Sequence, residues 1–357
     1  MHSEKTISWD TENTAILCID QTKLPDKFIM IRCSTVERLI TAIRRLEVRG
    51  APALGVAGAF GVALAARKIR EKDFERFVAR LTIQSEKIKS ARPTAVNLAW
   101  GVDLTLERAL HAISVRDARR ATLDQALSIA ASDSRTCHMI GDVGISVLPD
   151  QGTVLTHCNA GALACSDWGT ALGVIRSGVA AGKKIRVIAC ETRPLLQGSR
   201  LTAWELTREG IDVDVINDSA AAHIMRTGDI DLVIVGADRI TPDVVFNKIG
   251  TYMHAVCAAR HGIPFYVAAP LSTFDPDHTE VDITIEERAR EEISICGKTR
   301  VVPDRAGVIN LAFDATPHSL VTGFITEVGV LCPPLDWEGI ARRDRKSTRL
   351  NSSHRIR

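Results

Sequence analysis

The sequence has few aromatic residues and no excess of either charge. Phenylalanine, tryptophan and tyrosine make up 4% of its 357 residues, while hydrophobic residues of all kinds make up 45%. This composition is typical of α/β folds whose strands are buried on both faces. Lysine and arginine total 45 and aspartate and glutamate total 43, for a net charge of +2. Charge therefore gives no general attraction to nucleic acid or to a membrane surface, and we expect neither as a partner.

The cysteines lack the spacing of a disulfide framework or a zinc knuckle. There are nine, an odd number, and no CxxC pair occurs, which argues against both. No His/Asp/Glu spacing resembles a metal site, so we expect no metal. Most of the cysteines are expected to be buried in a reducing cytosol. Because the first residues are polar and no apolar signal segment follows, the predicted location is cytoplasmic.

Long hydrophobic runs and nucleotide motifs are also missing. The longest apolar stretch, residues 51–66, contains Pro52 and is short for a membrane span. It predicts a tightly packed core helix. No P-loop lysine motif is present, and no GxGxxG follows a strand, so no nucleotide cofactor is expected.

The hydrophobic pattern divides the chain into two domains and a tail. Short strands near 6–32, followed by helical periodicity, predict an N-terminal domain over 1–145 with a small β element and a helical bundle. From 146 to 342 strands alternate with helices, which predicts a Rossmann-like, doubly wound parallel sheet. The predicted strands there are 153–157, 184–189, 212–216, 231–235 and 264–268, and the predicted helices are 166–181, 199–209, 218–226 and 247–261.

Residues 343–357 form a basic tail that is rich in serine and asparagine and has no apolar face. The pattern predicts disorder and resembles translated vector sequence. The alternative interpretation of this tail is a nucleic-acid-binding arm.

Two predicted strands end in reactive side chains. Cys158 follows the first strand of the predicted sheet, and Asp238 follows the fourth. Side chains just past the carboxyl ends of neighbouring parallel strands converge on one crevice, so this pair indicates proton-transfer chemistry on a small ligand. Two structural alternatives stay open: a buried packing role for Cys158, and a helix cap or an ion pair with Arg239 for Asp238.

The turn after Cys158 is expected to open a helix at Asn159. A helix dipole there would favour a thiolate or a bound phosphate. His157 precedes the cysteine by one position in a strand, so we expect it to point to the opposite face.

Arginines precede two predicted helix starts. Arg49-Gly-Ala-Pro and Arg92-Pro-Thr each place a guanidinium beside a proline that suits a first helical turn. Free N–H groups at such a start favour an anion. The alternative is an ordinary helix start with a solvated arginine.

Further polar groups follow the other strands. Residues 191–200 are dense in hydrogen-bonding groups and are interpreted as a wall of the site. Asp218 is explained equally well as a helix cap. Asn247 and Lys248 add an amide and a cation, which we expect at another helix start.

Several ordered motifs resemble those of the methylthioribose-1-phosphate isomerase family. The resemblance runs from about residue 20 to residue 329. Its wider superfamily includes ribose-1,5-bisphosphate isomerases and non-catalytic regulatory subunits of a translation-initiation exchange factor. An apolar stretch at 28–32 departs from the more polar family pattern, which bears on substrate fit. The motifs are Arg49-Gly-Ala-Pro-Ala, Arg92-Pro-Thr-Ala-Val-Asn-Leu, Thr156-His-Cys-Asn-Ala-Gly, Glu191-Thr-Arg-Pro-Leu-Leu-Gln-Gly-Ser-Arg, Gly236-Ala-Asp-Arg-Ile and Asn247-Lys-Ile-Gly-Thr-Tyr.

This resemblance implies an aldose–ketose isomerase that converts 5-methylthioribose 1-phosphate to 5-methylthioribulose 1-phosphate in methionine salvage. It implies Cys158 and Asp238 as the catalytic residues. It also implies a homodimer, a sugar-phosphate ligand, and no metal or nucleotide cofactor. Activity on 5-deoxyribose 1-phosphate or ribose 1,5-bisphosphate, and a non-catalytic initiation-factor-type role, stay open as alternatives. The implied substrate-binding residues are Arg49, Gly50, Ala51, Arg92, Gln197, Asn247 and Lys248.

Overall fold

The computed structural model describes residues 5–340; the predicted tail at 343–357 lies outside them. The chain forms two compact units. Unit 1 comprises 5–137 with 161–169, and unit 2 comprises 138–160 with 170–340. This division differs from the predicted boundary between 145 and 146, because residues 161–169 pack with unit 1. There the Leu163 carbonyl accepts a hydrogen bond from Gln21 at 2.7 Å.

Unit 1 begins with three short antiparallel strands in the order β1-β2-β3. The hydrophobic side chains of these strands cover a set of helices, as the sequence predicts. The strands are β1 Ile7–Asp10, β2 Ala15–Ile19 and β3 Met30–Cys33, and the helices that follow are α1 Val36–Arg44, α2 Ala51–Lys68, α3 Phe74–Lys89, α4 Val96–Leu110 and α5 Val115–Gly144.

Helix α2 is the apolar stretch that the sequence singled out. All residues from Ala53 to Ala66 are buried, and a proline occupies its first turn, so the prediction of a packed core helix is confirmed. A Cβ added at Gly101 of α4 would overlap the backbone of Gly55, so glycine allows the close approach of α2 and α4. Within residues 5–340, no helix combines the length and the apolar content needed to cross a membrane.

Unit 2 contains a seven-stranded sheet in the order β15-β14-β10-β7-β4-β5-β6. All neighbouring strands are parallel except β14 and β15. The predicted Rossmann-like fold is confirmed. The strands of this sheet are β4 Gln151–Thr156, β5 Lys184–Cys190, β6 Val213–Ile216, β7 Leu232–Val235, β10 Phe265–Ala268, β14 Gly323–Thr326 and β15 Gly329–Leu331.

A second, three-stranded sheet in unit 2 was missed by the sequence analysis. Its strand order is β13-β9-β8. The predicted helix over 247–261 is wrong in its first residues, because Asn247 and Lys248 belong to a strand that pairs with Asp314 and Phe313. The strands are β8 Arg239–Ile240, β9 Val244–Lys248 and β13 Phe313–Pro317; β11 Ile295–Cys296 pairs with β12 Thr299–Arg300 elsewhere.

Helices connect the parallel strands. The predicted start at residue 166 is five residues too early, since α6 begins at Ala171. The helices are α6 Ala171–Ala180, α7 Ala203–Arg208, α8 Ala221–Thr227, α9 Thr251–His261 and α10 Glu291–Ser294.

The strand order places a topological switch point between β4 and β7. From β4 the chain adds β5 and β6 on one side, then returns to add β7 and β10 on the other. Strands β4 and β7 are direct neighbours, with Val154 opposite Leu232 and Leu155 opposite Val233. Open α/β sheets bind ligands outside the carboxyl ends of the two strands at such a point.

Candidate active site

Cys158 and Asp238 both follow strands that flank the switch point. Strand β4 ends at Thr156 and β7 ends at Val235, so both residues lie in the first turn past a carboxyl end. These two turns touch, because a Cβ added at Gly236 would lie 2.7 Å from the Cβ of Ala160. The structure therefore brings the predicted pair to one edge of the sheet.

The backbone of Cys158 is held by two threonine hydroxyls. Its φ is 63°, in the left-handed region. Its N–H donates to Oγ1 of Thr192 at 2.8 Å, and its carbonyl accepts from Oγ1 of Thr202 at 2.6 Å. The residue is only partly buried, which argues against a pure packing role. No disulfide joins any of the nine cysteines, all of which lie within the described residues.

The helix expected at Asn159 is absent, and the helix-dipole argument for the thiol is wrong. Instead of capping a helix, the buried Asn159 amide donates to Glu205 at 2.8 Å and to Thr202 at 3.2 Å. Helix α6 starts only at Ala171. The sequence after Cys158 resembles a helix start, but the side-chain amide of Asn159 forms hydrogen bonds with residues distant in the chain.

Asp218 braces the turn that carries Thr192. Its carboxylate accepts the N–H groups of Thr192 at 2.7 Å and Arg193 at 2.8 Å. The helix-cap explanation for Asp218 is wrong, because Asn217 caps the following turn through Ala220 N at 3.0 Å.

His157 points away from the thiol into the core, as predicted, and pairs with His254. The Nε2 of His157 lies 2.8 Å from the carbonyl of Ile249, and its Nδ1 lies 3.1 Å from Nε2 of His254. A carbonyl only accepts, so Nε2 of His157 carries hydrogen and Nδ1 accepts from His254. The remaining nitrogen, Nδ1 of His254, is buried without a hydrogen-bond partner among the described residues. Burial lowers the pKa of His157 to about 4 and that of His254 to about 3, so the pair is neutral near pH 7.

Asp238 lies between β7 and β8 and caps no helix, so that alternative is wrong. Its N–H donates to the carbonyl of Phe246 at 2.9 Å, which ties the turn to β9. Arg239 forms an ion pair with Asp275 at 3.0 Å. The carboxyl group of Asp238 is partly buried at the edge of the sheet.

The other implied substrate-binding residues of unit 2 differ in their hydrogen bonds to the rest of the protein. Gln197 is 6% exposed, and its Oε1 has no hydrogen-bond partner among the described residues. Asn247 donates to Thr251 at 3.0 Å. Lys248 donates to the carbonyl of Ala312 at 2.8 Å and lies over the Phe313 ring at 4.6 Å. Neighbours in a strand point to opposite faces, so β9 sends the Asn247 and Lys248 side chains in different directions.

In unit 1, the Arg49-Gly-Ala segment starts helix α2. Arg49 is 9% exposed and donates from Nε to Gln21 at 3.0 Å. Gly50 has φ 93°, and a Cβ there would overlap the backbone of Ala164, so glycine is required. Ala51 is the first helical residue and a proline follows it. The arrangement has the features of an anion-binding helix start.

Arg92 does not repeat this design. Helix α4 begins at Val96, and the proline after Arg92 lies in a turn before it. The carbonyl of Arg92 accepts from the N–H of Ala95 at 3.0 Å. The prediction of a proline-started helix at residue 93 is therefore wrong, although the guanidinium is only partly buried.

Two clusters of side chains have donor atoms close enough to share a metal ion. In each cluster the donor atoms lie within 4.8 Å of one another. The sequence did not predict either cluster, because each is completed by a residue distant in the chain: His254 joins His157 and Cys190, and Cys165 joins Asp133 and Cys137 of helix α5. Existing bonds occupy part of each set: His157 donates to Ile249, and Asp133 accepts from Ser166 N at 2.6 Å. The clusters are His157, Cys190 and His254 in unit 2, and Asp133, Cys137 and Cys165 in unit 1.

A doubly wound parallel sheet with a thiol and a carboxyl group at its switch point defines a Rossmann-like α/β protein with a site for a small ligand. The family model of the initiation factor 2 subunit family matches residues 47–333. The chain belongs to that family.

Named relatives include isomerases and an initiation factor. The methylthioribose-1-phosphate isomerase of Thermosipho melanesiensis is 48% identical over 93% of this chain and 96% of its own length. The crystal structure of 5-methylthioribose 1-phosphate isomerase from Pyrococcus horikoshii OT3 has a TM-score of 0.86 at 41% identity, covering 97% of this chain and 96% of that one. The structure of translation initiation factor eIF-2B, subunit delta, from A. fulgidus has a TM-score of 0.85 at 50% identity, covering 96% and 100%. The resemblance inferred from the motifs is confirmed.

Proposed function

We propose that this chain is an aldose–ketose isomerase that converts 5-methylthioribose 1-phosphate to 5-methylthioribulose 1-phosphate, a step of methionine salvage. The isomerase relatives support this assignment. The observation that carries it is the presence of Cys158 and Asp238 in touching turns at the switch point of the sheet. A purely structural role would not require a thiol and a carboxyl group at that edge.

The substrate sets a particular chemical problem. Its anomeric carbon carries a phosphate ester, so the sugar cannot open spontaneously to a free aldehyde. A proton must reach the ring oxygen as the bond from C1 to that oxygen breaks. Hydrogen must then move from C2 to C1, which leaves the overall oxidation state of the sugar unchanged.

We assign the two proton transfers to the reactive pair. Asp238 in its protonated form donates to the ring oxygen, and Cys158 as a thiolate removes the proton from C2 and returns it to C1. The Asp238 carboxylate then takes the proton of the 2-hydroxyl as C2 becomes the ketone carbonyl, which returns both groups to their starting forms. A hydride shift from C2 to C1 is the alternative for the second step. In that case Cys158 would stabilise developing charge rather than act as a base.

The binding residues keep the roles that the family resemblance implies. Gln197 offers a buried Oε1 that has no hydrogen-bond partner within residues 5–340 and suits a sugar hydroxyl donor. The start of helix α2, with Arg49, Gly50 and Ala51, suits a phosphate oxygen. We assign Arg92, Asn247 and Lys248 to substrate binding on the resemblance alone.

A comparison of sugars tests the proposal. We expect kcat/KM to be highest for 5-methylthioribose 1-phosphate. With 5-deoxyribose 1-phosphate it should be lower by about 10–200-fold at most, because an apolar pocket discriminates by only ~1–3 kcal/mol. Ribose 1,5-bisphosphate should be poor, since a second phosphate needs its own cationic groups. A clear preference for the bisphosphate would refute the substrate assignment.

The A. fulgidus relative favours a second candidate, a non-catalytic role of the initiation-factor type. Retention of both Cys158 and Asp238 speaks against it, because a regulatory subunit has little use for the pair. Pure, reduced protein that binds the sugar phosphate without turnover would support this second candidate.

We further propose a homodimer in the cytoplasm. The dimer follows from the family resemblance, and the location from the odd number of cysteines without disulfides. Light scattering at micromolar concentration should give twice the chain mass of 38.9 kDa. A monomer would contradict the proposed assembly.

A further inference from the structure

We propose that Thr192 is a positioning residue for Cys158, and that its hydroxyl holds the cysteine turn in the conformation required for turnover. This inference rests on the proposed function. Thr192 lies in the segment 191–200, which the sequence predicts as a wall of the site, but no sequence pattern links it to Cys158, because the two residues are 34 positions apart.

The first observation is strain in two touching turns. Cys158 has φ 63° and Thr192 has φ 65°, and neither is glycine. The left-handed region is unfavourable for a β-branched residue such as threonine, so it persists only where surrounding contacts impose it. The two turns follow adjacent parallel strands, β4 and β5.

The second observation is a hydrogen-bond chain whose direction is fixed. The N–H of Cys158 donates to Oγ1 of Thr192 at 2.8 Å, and that hydroxyl lies 2.9 Å from the carbonyl of Cys190. An N–H only donates and a carbonyl only accepts, so the hydroxyl receives one bond and gives its single hydrogen to the other. Valine, which has the same shape, can do neither. A second acceptor, Nδ1 of His157, lies farther from the hydroxyl at 3.5 Å and already accepts from His254.

The third observation is the support behind Thr192. The carboxylate of Asp218 accepts the N–H groups of Thr192 and Arg193 at 2.7 and 2.8 Å. These two bonds hold the turn in its strained conformation. On the other side of the cysteine, Thr202 donates to the Cys158 carbonyl at 2.6 Å. The peptide groups on both sides of Cys158 are thus fixed, and with them the direction of its side chain.

Three substitutions of Thr192 separate the effect of its hydroxyl from the effect of its strained backbone conformation. Thr192→Val removes the hydroxyl and keeps the shape. Thr192→Ser keeps the hydroxyl. Thr192→Gly removes the hydroxyl and also relieves the strain, because glycine adopts positive φ freely. We therefore expect this variant to fold even where the valine variant is unstable. Thr122→Val, at a buried helical threonine that bonds Ala118 at 2.9 Å, is the matched control.

We expect Thr192→Val and Thr192→Gly to lower kcat by about 10–100-fold with less than about 3-fold change in KM, while Thr192→Ser and the control stay within about 3-fold of wild type. A role only in stability would instead make the glycine variant active. Wild-type kcat in Thr192→Gly, or a loss in Thr192→Ser as large as in Thr192→Val, overturns the proposal.

A substrate-free readout distinguishes failure of this inference from failure of the proposed function. Iodoacetamide labelling of Cys158, followed by peptide mass spectrometry, is scored against exposed Cys296 in the same molecule. In the valine and glycine variants the relative labelling rate of Cys158 should rise at least about 3-fold, because its turn is released. An unchanged ratio overturns the positioning role, whether or not the wild-type protein turns over the sugar phosphate.

Discussion

Nε2 of His254 lies 3.1 Å from Nδ1 of His157, and both rings are almost completely buried. The pair lies next to the turn that carries Cys158, because His157 directly precedes Cys158 in the sequence. Burial lowers both pKa values, to about 4 for His157 and about 3 for His254. An unfolded histidine has a pKa near 6.5, so between pH 6.5 and about 4 the unfolded chain binds protons that the folded chain does not. Both histidines therefore make the fold less stable as the pH falls through that range.

We predict that His254→Gln reduces this acid sensitivity. Glutamine can still donate to His157 but does not titrate. Between pH 7 and pH 5, the free energy of unfolding of wild type should fall by about 2 kcal/mol relative to the variant, since each pKa unit is worth about 1.4 kcal/mol. Urea unfolding at the two pH values measures the difference, and His261→Gln, at an exposed position, is the control.

Wild type must be compared with His254→Gln, because two buried carboxyl groups change the free energy of unfolding with pH in the opposite direction to the histidines. Burial raises the pKa of Asp133 and of Asp314 to about 6. The folded chain then holds protons that the unfolded chain has lost between pH 4 and 6, so these groups favour the fold as the pH falls. Parallel pH curves for wild type and His254→Gln would contradict the assignment of a titrating histidine pair.

The reactive pair gives the most direct prediction on activity. Cys158→Ser and Asp238→Asn should each lower kcat by at least ~100-fold, the scale of lost acid–base catalysis, with KM changed much less. Steady-state kinetics on the sugar phosphate, with circular dichroism to confirm folding, measures this. Asp150→Asn and Cys257→Ser serve as controls. Asp150 directly precedes strand β4, at the edge of the sheet opposite to the reactive pair, and forms an ion pair with Lys183 at 3.0 Å. Near-normal turnover by Asp238→Asn would refute the mechanism.

Gln197 should show opposite effects on stability and binding. Its Oε1 is buried without a partner among the described residues, which is costly in the absence of ligand. Gln197→Met keeps the volume and removes the unsatisfied oxygen, so the Tm should stay equal or rise. KM should rise by about 2–12-fold, the equivalent of one hydrogen bond of about 0.5–1.5 kcal/mol. A lower Tm with unchanged KM would show that the amide serves the fold and not the ligand.

The sequence was sufficient to predict five of the seven strands of the large sheet and the edge where the reactive pair lies, but not strands β14 and β15. Strands β4 and β7 are apolar runs that end at polar turns. Such runs can be recognised from the sequence because hydrophobic periodicity and composition are properties of neighbouring residues. The segment 244–248 was not predicted as a strand, and its last two residues, Asn247 and Lys248, were placed at the start of the predicted helix over 247–261. Only pairing with β13, which places Phe313 opposite Lys248, makes it a strand.

The details of the site could not be predicted because they depend on contacts between distant residues. Asn159 resembles a helix cap, but its amide bonds Glu205, 46 positions away. Thr202 and His254 support the cysteine turn from elements that carry no local signal for that role. The left-handed conformation of Cys158 likewise has no marker in the sequence, since glycine would be the residue expected there.

The contact between the turns after β4 and β7 leads to a prediction that links packing to turnover. A Cβ at Gly236 would lie 2.7 Å from the Cβ of Ala160, a distance that real structures do not tolerate without movement. Gly236→Ala should therefore push the Cys158 and Asp238 turns apart. We expect it to lower the free energy of unfolding by about 1–3 kcal/mol, the usual cost of overpacking, and to reduce kcat.

The double variant Ala160→Gly/Gly236→Ala should recover both losses, because it removes the methyl group that Gly236→Ala meets. Urea unfolding and steady-state kinetics on the four members of this cycle give the coupling energy, which should be favourable and at least about 0.5 kcal/mol. Ala160→Gly alone should cost less than Gly236→Ala, since its loss is the contact of one half-buried methyl group and some backbone entropy. If the double variant is as impaired as the sum of the two single variants, the turns do not meet at these atoms, and the reactive pair is held in place by other contacts.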